Sequence, residues 1–116
     1  VAVASTEIKV IKVDQDGEIV GGGHGMPVPI GSEGEIVVKG PQVMLGYLNA
    51  PAKTAECMLP DGWLRTGDVA KMDADGYVFI TDRLKELIKF KGHQVAPAEL
   101  EDLLSSHPTI GDACVI

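Results

Sequence analysis

The distribution of apolar and charged positions over the first eighty residues predicts short β-strands. Residues 6–13 (TEIKVIKV), 35–39 (EIVVK) and 77–81 (YVFIT) are rich in β-branched or aromatic residues, which favour strands. Residues 63–71 form a further candidate strand between the turn signals Asp-Gly and Asp-Ala-Asp-Gly. Pro51 at the start of residues 51–59 indicates a short helix. Glycine- and proline-rich segments, above all residues 21–34, separate these elements. A β-rich, barrel-like or sandwich-like portion is therefore expected, with Trp63, Tyr77 and Phe79 as core residues at strand spacing.

The pattern changes after residue 82. Two sets of residues alternate there, the basic Arg83, Lys85, Lys89 and Lys91 and the apolar Leu84, Ile88 and Phe90. This alternation predicts a strand over residues 87–91 with one basic face. A second short strand at residues 94–95, a helix from Pro97 with apolar positions at helical spacing, and a final strand at residues 112–116 follow. The whole chain is predicted to be mixed α+β, with the β-rich portion followed by an incomplete β-β-α-β subdomain.

Size and charge restrict the classes of function. The chain has 116 residues and a formal net charge of −7, which is the size of one domain or of one small domain with a piece of another. The negative charge disfavours nucleic acid and anionic membranes as partners. No apolar run approaches the roughly 18 residues of a membrane span. Cys57 and Cys114 lie far apart, which matches neither a disulfide framework nor a metal-binding spacing.

The local concentration of positive charge stands out against this acidic background. Four of the ten lysines and arginines lie between residues 83 and 91. On its own, such a face is usually solvated surface. The alternative is that it delivers cations to an anionic ligand, with an arginine as a fixed fork of donors and a lysine as a mobile point charge.

Three motifs in order carry a family resemblance: GEIVVKGPQVMLGYLNAP, DGWLRTGDVAKMDADGYVFITDR and LKELIKFKGHQVAPAELEDLLSSHP. From about Gly34 onward, the chain resembles the adenylate-forming enzymes, above all 4-coumarate–CoA ligases, related acyl-CoA synthetases and beetle luciferases. The resemblance implies an ATP-dependent carboxylic acid–CoA ligase. The acid and ATP form an acyl-adenylate, a small lid domain rotates, and the thiol of coenzyme A displaces AMP. Mg²⁺ is expected too, with its ligands outside these residues.

The resemblance also implies a domain organisation and a nucleotide site. Residues 1–82 would be the C-terminal, β-rich part of the adenylating domain, and residues 83–116 the hinge and the first part of the lid. Asp68, in the TGD motif, and Arg83 match residues that contact the ribose of ATP or AMP. A carboxylate accepts hydrogen bonds only, so it can bind two neighbouring hydroxyls.

Four further residues match positions of the hinge and the lid. Lys85 falls at the hinge, Lys89 and Gln94 match lid residues that face the active site during thioester formation, and Gly92 lies where a side chain would obstruct the passage of coenzyme A. The phosphate-binding loop and the C-terminal lysine of the family are not among these 116 residues. We therefore expect a fragment that is inactive alone.

Alternatives remain at this stage. A luciferase-like oxygenase would share every motif, and an adenylation domain would load a carrier protein instead of coenzyme A. A β-rich binding module without catalysis is the third alternative. The acid is expected to be aromatic or fatty, and the compartment to be intracellular, either cytoplasmic or peroxisomal. The incomplete lid leads us to expect either high mobility or pairing between chains.

Overall fold

The computed structural model describes residues 2–91 and 93–116 and has a mixed α+β fold, which confirms the predicted class. Its first part contains strands β1 to β4 and helix α1, and its second part contains strands β5 and β6 and helix α2. Their bounds are β1 Glu7–Ile11, β2 Gly34–Lys39, α1 Pro51–Cys57, β3 Leu64–Met72, β4 Val78–Arg83, β5 Ile88–Phe90, β6 His93–Val95 and α2 Pro97–Ser105. Neither helix is long and apolar enough to cross a membrane, as far as the described residues go.

The first four strands form one antiparallel sheet in the order β1-β2-β3-β4. Consecutive strands are neighbours, as in a meander, and the connection between β2 and β3 contains helix α1. This order is open, so the sheet supports the β-rich portion predicted from the sequence without closing into a barrel among the described residues. The strand predicted at residues 63–71 is present one residue further along the chain.

The core lies around β2, the strand with the most buried residues. Ile36 and Val37 point to opposite faces of the sheet, because side chains alternate along a strand, and both are buried. Ile36 packs with Val10 of β1 and Ala70 of β3. On the loop that connects β1 to β2, Val28 donates its backbone N–H to the carbonyl of Val10 at 3.0 Å. That loop therefore stays on the sheet and helps to cover one face.

Two of the three aromatic residues expected in the core lie at the surface instead. Tyr77 and Phe79 are 56% and 50% exposed, so that expectation was wrong for both. Phe79 lies opposite Lys71 in the ladder, and cross-strand partners share a face, which here is the exposed one. Trp63 is partly buried, with the ammonium of Lys9 at 4.4 Å from its ring centroid.

The second part of the chain begins with the hairpin of β5 and β6, followed by α2. The two strands and the helix match the first three elements of the predicted β-β-α-β order. The final strand expected at residues 112–116 does not form. A strand needs a partner for its backbone groups, and here Val115 donates its N–H to the carboxylate of Glu101 on α2 instead.

Candidate functional site

A β-bulge interrupts the pairing of β2 with β3. Val37 pairs with Arg65 and Glu35 pairs with Val69. Residues 66–68 of β3 therefore lie opposite the single residue Ile36, which places two extra residues on β3. Bulges bend the strand locally and re-aim side chains. This one falls on Thr-Gly-Asp, the motif that carries Asp68.

Side chains supply hydrogen bonds that the interrupted ladder does not. The Thr66 hydroxyl donates to the carbonyl of Ile36 at 2.9 Å, and the same oxygen accepts the N–H of Asp68 at 3.1 Å. The N–H of Gly67 donates to Oε1 of Glu35 at 3.0 Å. Gly67 has a φ of +74°, a left-handed conformation that glycine adopts without strain. The bulge is therefore a defined conformation with its own hydrogen-bond partners.

A buried ion pair lies directly beneath the bulge. Glu35 is 1% exposed. Its Oε2 accepts hydrogen bonds from Nη2 of Arg65 at 2.7 Å and from Nε at 3.0 Å. Nη2 also donates to the carbonyl of Gly17 at 2.7 Å. Neither Glu35 nor Arg65 was predicted as a site residue from the sequence, because charged residues in a strand usually face solvent. The spacing alone gave no signal for this pair.

The structure brings the two predicted ribose contacts together. Asp68 and Arg83 are direct partners across β3 and β4, and Nε of Arg83 lies 3.6 Å from Oδ1 of Asp68. Their side chains are 29% and 72% exposed, so both remain available to a ligand. The proximity is what a shared ligand requires, and the roles themselves remain predictions.

The predicted hinge residue follows this pair directly. Lys85 lies exposed in a turn over residues 84–86, where Glu86 donates its N–H to the carbonyl of Arg83 at 3.0 Å. The preceding residue, Leu84, donates its N–H to the carbonyl of Gly67 at 2.8 Å. The bulge and the start of the turn are thus connected through the backbone.

The predicted lid residues lie on the β5–β6 hairpin. Lys89 and Gln94 are cross-strand partners, so the backbone places these two positions side by side. The ammonium of Lys89 forms an ion pair with Oδ1 of Asp16, on the turn after β1. Gly92 lies outside the described residues.

The turn that carries Asp16 is organised by a neighbouring carboxylate. Oδ1 of Asp14 accepts the backbone N–H of Asp16 at 2.8 Å and that of Glu18 at 2.9 Å. The hydrogen bond from Glu18 is the main cause that lowers the pKa of Asp14 below its ordinary value, followed by that from Asp16, with a smaller contribution from the charge of Lys89. Asp14 therefore fixes the loop against which Lys89 rests.

A cavity of about 680 Å³ opens beside the bulge. Its lining includes the buried ion pair, two bulge residues and the turn that follows β4, namely Glu35, Arg65, Thr66, Gly67, Leu84 and Lys85. Within the described part of the chain, no group of three or more His, Cys, Asp or Glu side chains could hold a metal ion. The arrangement offers hydrogen-bond acceptors and cations at one edge of the sheet.

Comparisons with known proteins agree on one family. No family model matches the chain. It is 60% identical over 92 residues to 4-coumarate–CoA ligase 4 of Arabidopsis thaliana, a match that covers 79% of this chain and 16% of the relative. The ATP-bound MatB protein of Rhodopseudomonas palustris has a similar structure, with a TM-score of 0.80 and 34% identity over 99% of this chain and 21% of that protein. O-succinylbenzoate coenzyme A synthetase of Bacillus subtilis in complex with AMP is also similar in structure, with a TM-score of 0.75 and 35% identity. That match covers 97% of this chain and 21% of the synthetase.

These matches cover most of this chain and a small share of each relative. The chain spans between 16% and 21% of the length of the proteins that it resembles here. None of these similarities supports the pairing of chains that the incomplete lid suggested. In both sequence and fold, the chain belongs to the adenylate-forming superfamily, of which it is a fragment related to the 4-coumarate–CoA ligases.

Proposed function

We propose that the full-length protein containing this chain is an ATP-dependent carboxylic acid–CoA ligase that forms an acyl-adenylate and then an acyl-CoA thioester. The identity of 60% to a 4-coumarate–CoA ligase carries this proposal. The likeness to an ATP-bound and an AMP-bound enzyme supports a nucleotide as one substrate. An aromatic acid such as 4-coumarate is the first substrate to test, and residues 1–116 alone are expected to be inactive.

In this proposal, Asp68 and Arg83 bind the ribose of the nucleotide. A carboxylate can accept hydrogen bonds from the 2′ and 3′ hydroxyls together. The guanidinium of Arg83, whose Nε lies 3.6 Å from Asp68, is positioned to orient that carboxylate and to donate to the same ligand. The bulge supports this assignment, since it takes Asp68 out of the ladder between β2 and β3 while Asp68 keeps its pairing with Arg83.

The two half-reactions require two positions of the lid, with Lys85 as the proposed hinge. Its place in an exposed turn directly after β4 suits a backbone change concentrated in a few residues. In each position, the lid would complete the catalytic site for one of the two half-reactions. We place residues 1–82 in the adenylating domain and residues 83–116 in the hinge and the lid.

Lys89 and Gln94 are proposed to act after the lid rotates, when coenzyme A attacks the acyl-adenylate. Lys89 would then stabilise negative charge in the transition state. In the present arrangement its ammonium pairs with Asp16, with 49% and 79% of the two side chains exposed. Such exposed pairs contribute roughly 0–1 kcal/mol, so the pair can break at little cost. Gly92 is proposed to keep the coenzyme A passage open.

Asp68→Ala in the full-length protein tests the nucleotide assignment. Loss of a charged hydrogen-bond acceptor costs roughly 1.5–3 kcal/mol, which corresponds to about a tenfold to hundredfold loss in kcat/KM for ATP. The assay is acid-dependent exchange of pyrophosphate into ATP. Unchanged kinetic constants in this assay would show that Asp68 does not bind the nucleotide.

A further inference from the structure

We propose that Glu35 is a positioning residue for the nucleotide: it holds the bulge of residues 66–68 in the conformation that presents Asp68 to the ribose. This inference rests on the proposed function, because it assumes that Asp68 binds the ribose hydroxyls. Glu35 itself is buried beneath the sheet surface, so it acts through the bulge and not on the ligand.

Burial and charge make Glu35 a rigid support. Arg65 donates to Oε2 from Nη2 at 2.7 Å and from Nε at 3.0 Å. Oε1 accepts the N–H of Gly67 at 3.0 Å and a longer contact from Nε of Arg65 at 3.3 Å. Arg65 is held in turn by the carbonyl of Gly17. A buried carboxylate with several donors is expensive to move, because any displacement leaves a charge unpaired in a poorly solvated site. The position of Oε1 therefore fixes the position of the Gly67 amide.

The peptide groups of Gly67 connect Glu35 to both predicted ribose contacts. Asp68 is the next residue in the chain. On the other side, the carbonyl of Gly67 accepts the N–H of Leu84 at 2.8 Å, and Leu84 directly follows Arg83. A shift of the bulge therefore moves Asp68 and the end of β4 together. No regular ladder bond of β2 can replace this support, because the register steps from Val37 to Glu35 across the bulge.

The test compares ATP with 2′,3′-dideoxy-ATP in pyrophosphate exchange by the full-length protein. The ratio of kcat/KM for the two nucleotides measures how much the ribose hydroxyls contribute. Asp68→Ala is the reference, and it should reduce this preference for ATP by about tenfold or more. Glu35→Gln replaces one of the two acceptor oxygens with an NH₂ group. That group then faces either the donors of Arg65 or the N–H of Gly67 and can accept from neither. The preference should fall by about twofold to tenfold, with KM for ATP raised more than kcat is lowered.

A second variant decides the matter if Glu35→Gln does not fold. Gly67→Ala leaves the buried ion pair intact, and an added Cβ would meet no atom within 4 Å. It strains only the backbone, at a φ of +74°. Gly76→Ala is the matched control, since Gly76 has a φ of +83° and equally open surroundings in the turn between β3 and β4. We expect Gly67→Ala to reduce the preference for ATP and Gly76→Ala to leave it unchanged.

The outcomes separate this inference from the proposed function. If Asp68→Ala retains the full preference for ATP, the ribose assignment fails, and the role of Glu35 fails with it. If Asp68→Ala removes the preference while Glu35→Gln and Gly67→Ala retain it, only the role of Glu35 is overturned. If Glu35→Gln lowers kcat/KM equally for ATP and for 2′,3′-dideoxy-ATP, the role of Glu35 is purely structural. In the double variant of Glu35→Gln and Asp68→Ala, the loss of preference should be smaller than the sum of the two single losses expressed as free energies, and additive losses would contradict action through Asp68.

Discussion

Removal of the cation from the buried ion pair should destabilise the sheet far more than removal of the exposed one. Arg65→Met deletes the donors to Glu35 and to the Gly17 carbonyl and leaves a carboxylate that is 1% exposed without a cation. Breaking a buried pair costs about 3–5 kcal/mol. The lower end applies here, because the Arg65 side chain is 18% exposed and Glu35 keeps its bond from Gly67.

Arg83→Met is the matched control within the same sheet. Its Nε lies 3.6 Å from Asp68 and its side chain is 72% exposed, so the expected cost is only about 0–1 kcal/mol. Native-state hydrogen exchange in the full-length protein measures both effects locally, since it reports the free energy of opening for individual segments. In Arg65→Met, amides of β2 and β3 should exchange about two orders of magnitude faster.

Two results bear on the reasoning behind this difference. Similar exchange rates in Arg65→Met and Arg83→Met would refute the claim that burial makes the Glu35–Arg65 pair critical. A second change, Glu35→Leu in the Arg65→Met background, removes the stranded charge. It should recover part of the lost protection, because apolar replacements of buried ion pairs are often well tolerated.

Three further changes test the lid, the hinge and the turn after β1. Lys89→Ala in the full-length protein should leave pyrophosphate exchange intact and slow thioester formation, because the charge is needed only after lid rotation; equal losses in both steps would give Lys89 a structural role. Lys85→Pro should let the acyl-adenylate accumulate and slow transfer of the acyl group to coenzyme A, since proline fixes φ. Lys85→Ala should affect this transfer much less. If both variants slow the transfer equally, Lys85 is not the hinge. The lowered pKa of Asp14 stabilises the fold above the unfolded-state pKa, and this stabilisation is lost as pH falls through the folded-state pKa. Asp14→Asn should therefore flatten the decline of Tm as the pH falls below about 5, and an unaltered decline would contradict this role of the Asp14 carboxylate.

The sequence predicted the strands well because turn residues and β-branched runs are local signals. The positions of β1 to β4 along the chain and of the helix that starts at Pro97 follow from such signals. The face that each strand buries was harder to predict. Tyr77, in the turn before β4, and Phe79 are both exposed. The register of β4 pairs Phe79 with the exposed Lys71, and aromatic content alone does not reveal register.

The sequence predicted the residues of the candidate site but not the bulge and the ion pair that hold them in place. Asp68 and Arg83 were identified from motifs, and the structure makes them cross-strand partners. The bulge and the Glu35–Arg65 pair depend on a contact between residues 30 positions apart. No periodicity within either strand encodes such a contact. The strand expected at residues 112–116 does not form, for a related reason. The local sequence pattern favours a strand, but a strand also needs a neighbouring strand to pair with.

Product analysis of the full-length protein would show whether it is an acid–CoA ligase. The protein would be incubated with ATP, coenzyme A and single carboxylic acids, 4-coumarate first and then other aromatic and fatty acids, and the products would be identified by mass spectrometry. We expect acid-dependent release of AMP and pyrophosphate together with the matching acyl-CoA thioester. Conversion of ATP without any acid dependence, or acyl-adenylate formation with no thioester in the presence of coenzyme A, would contradict this expectation.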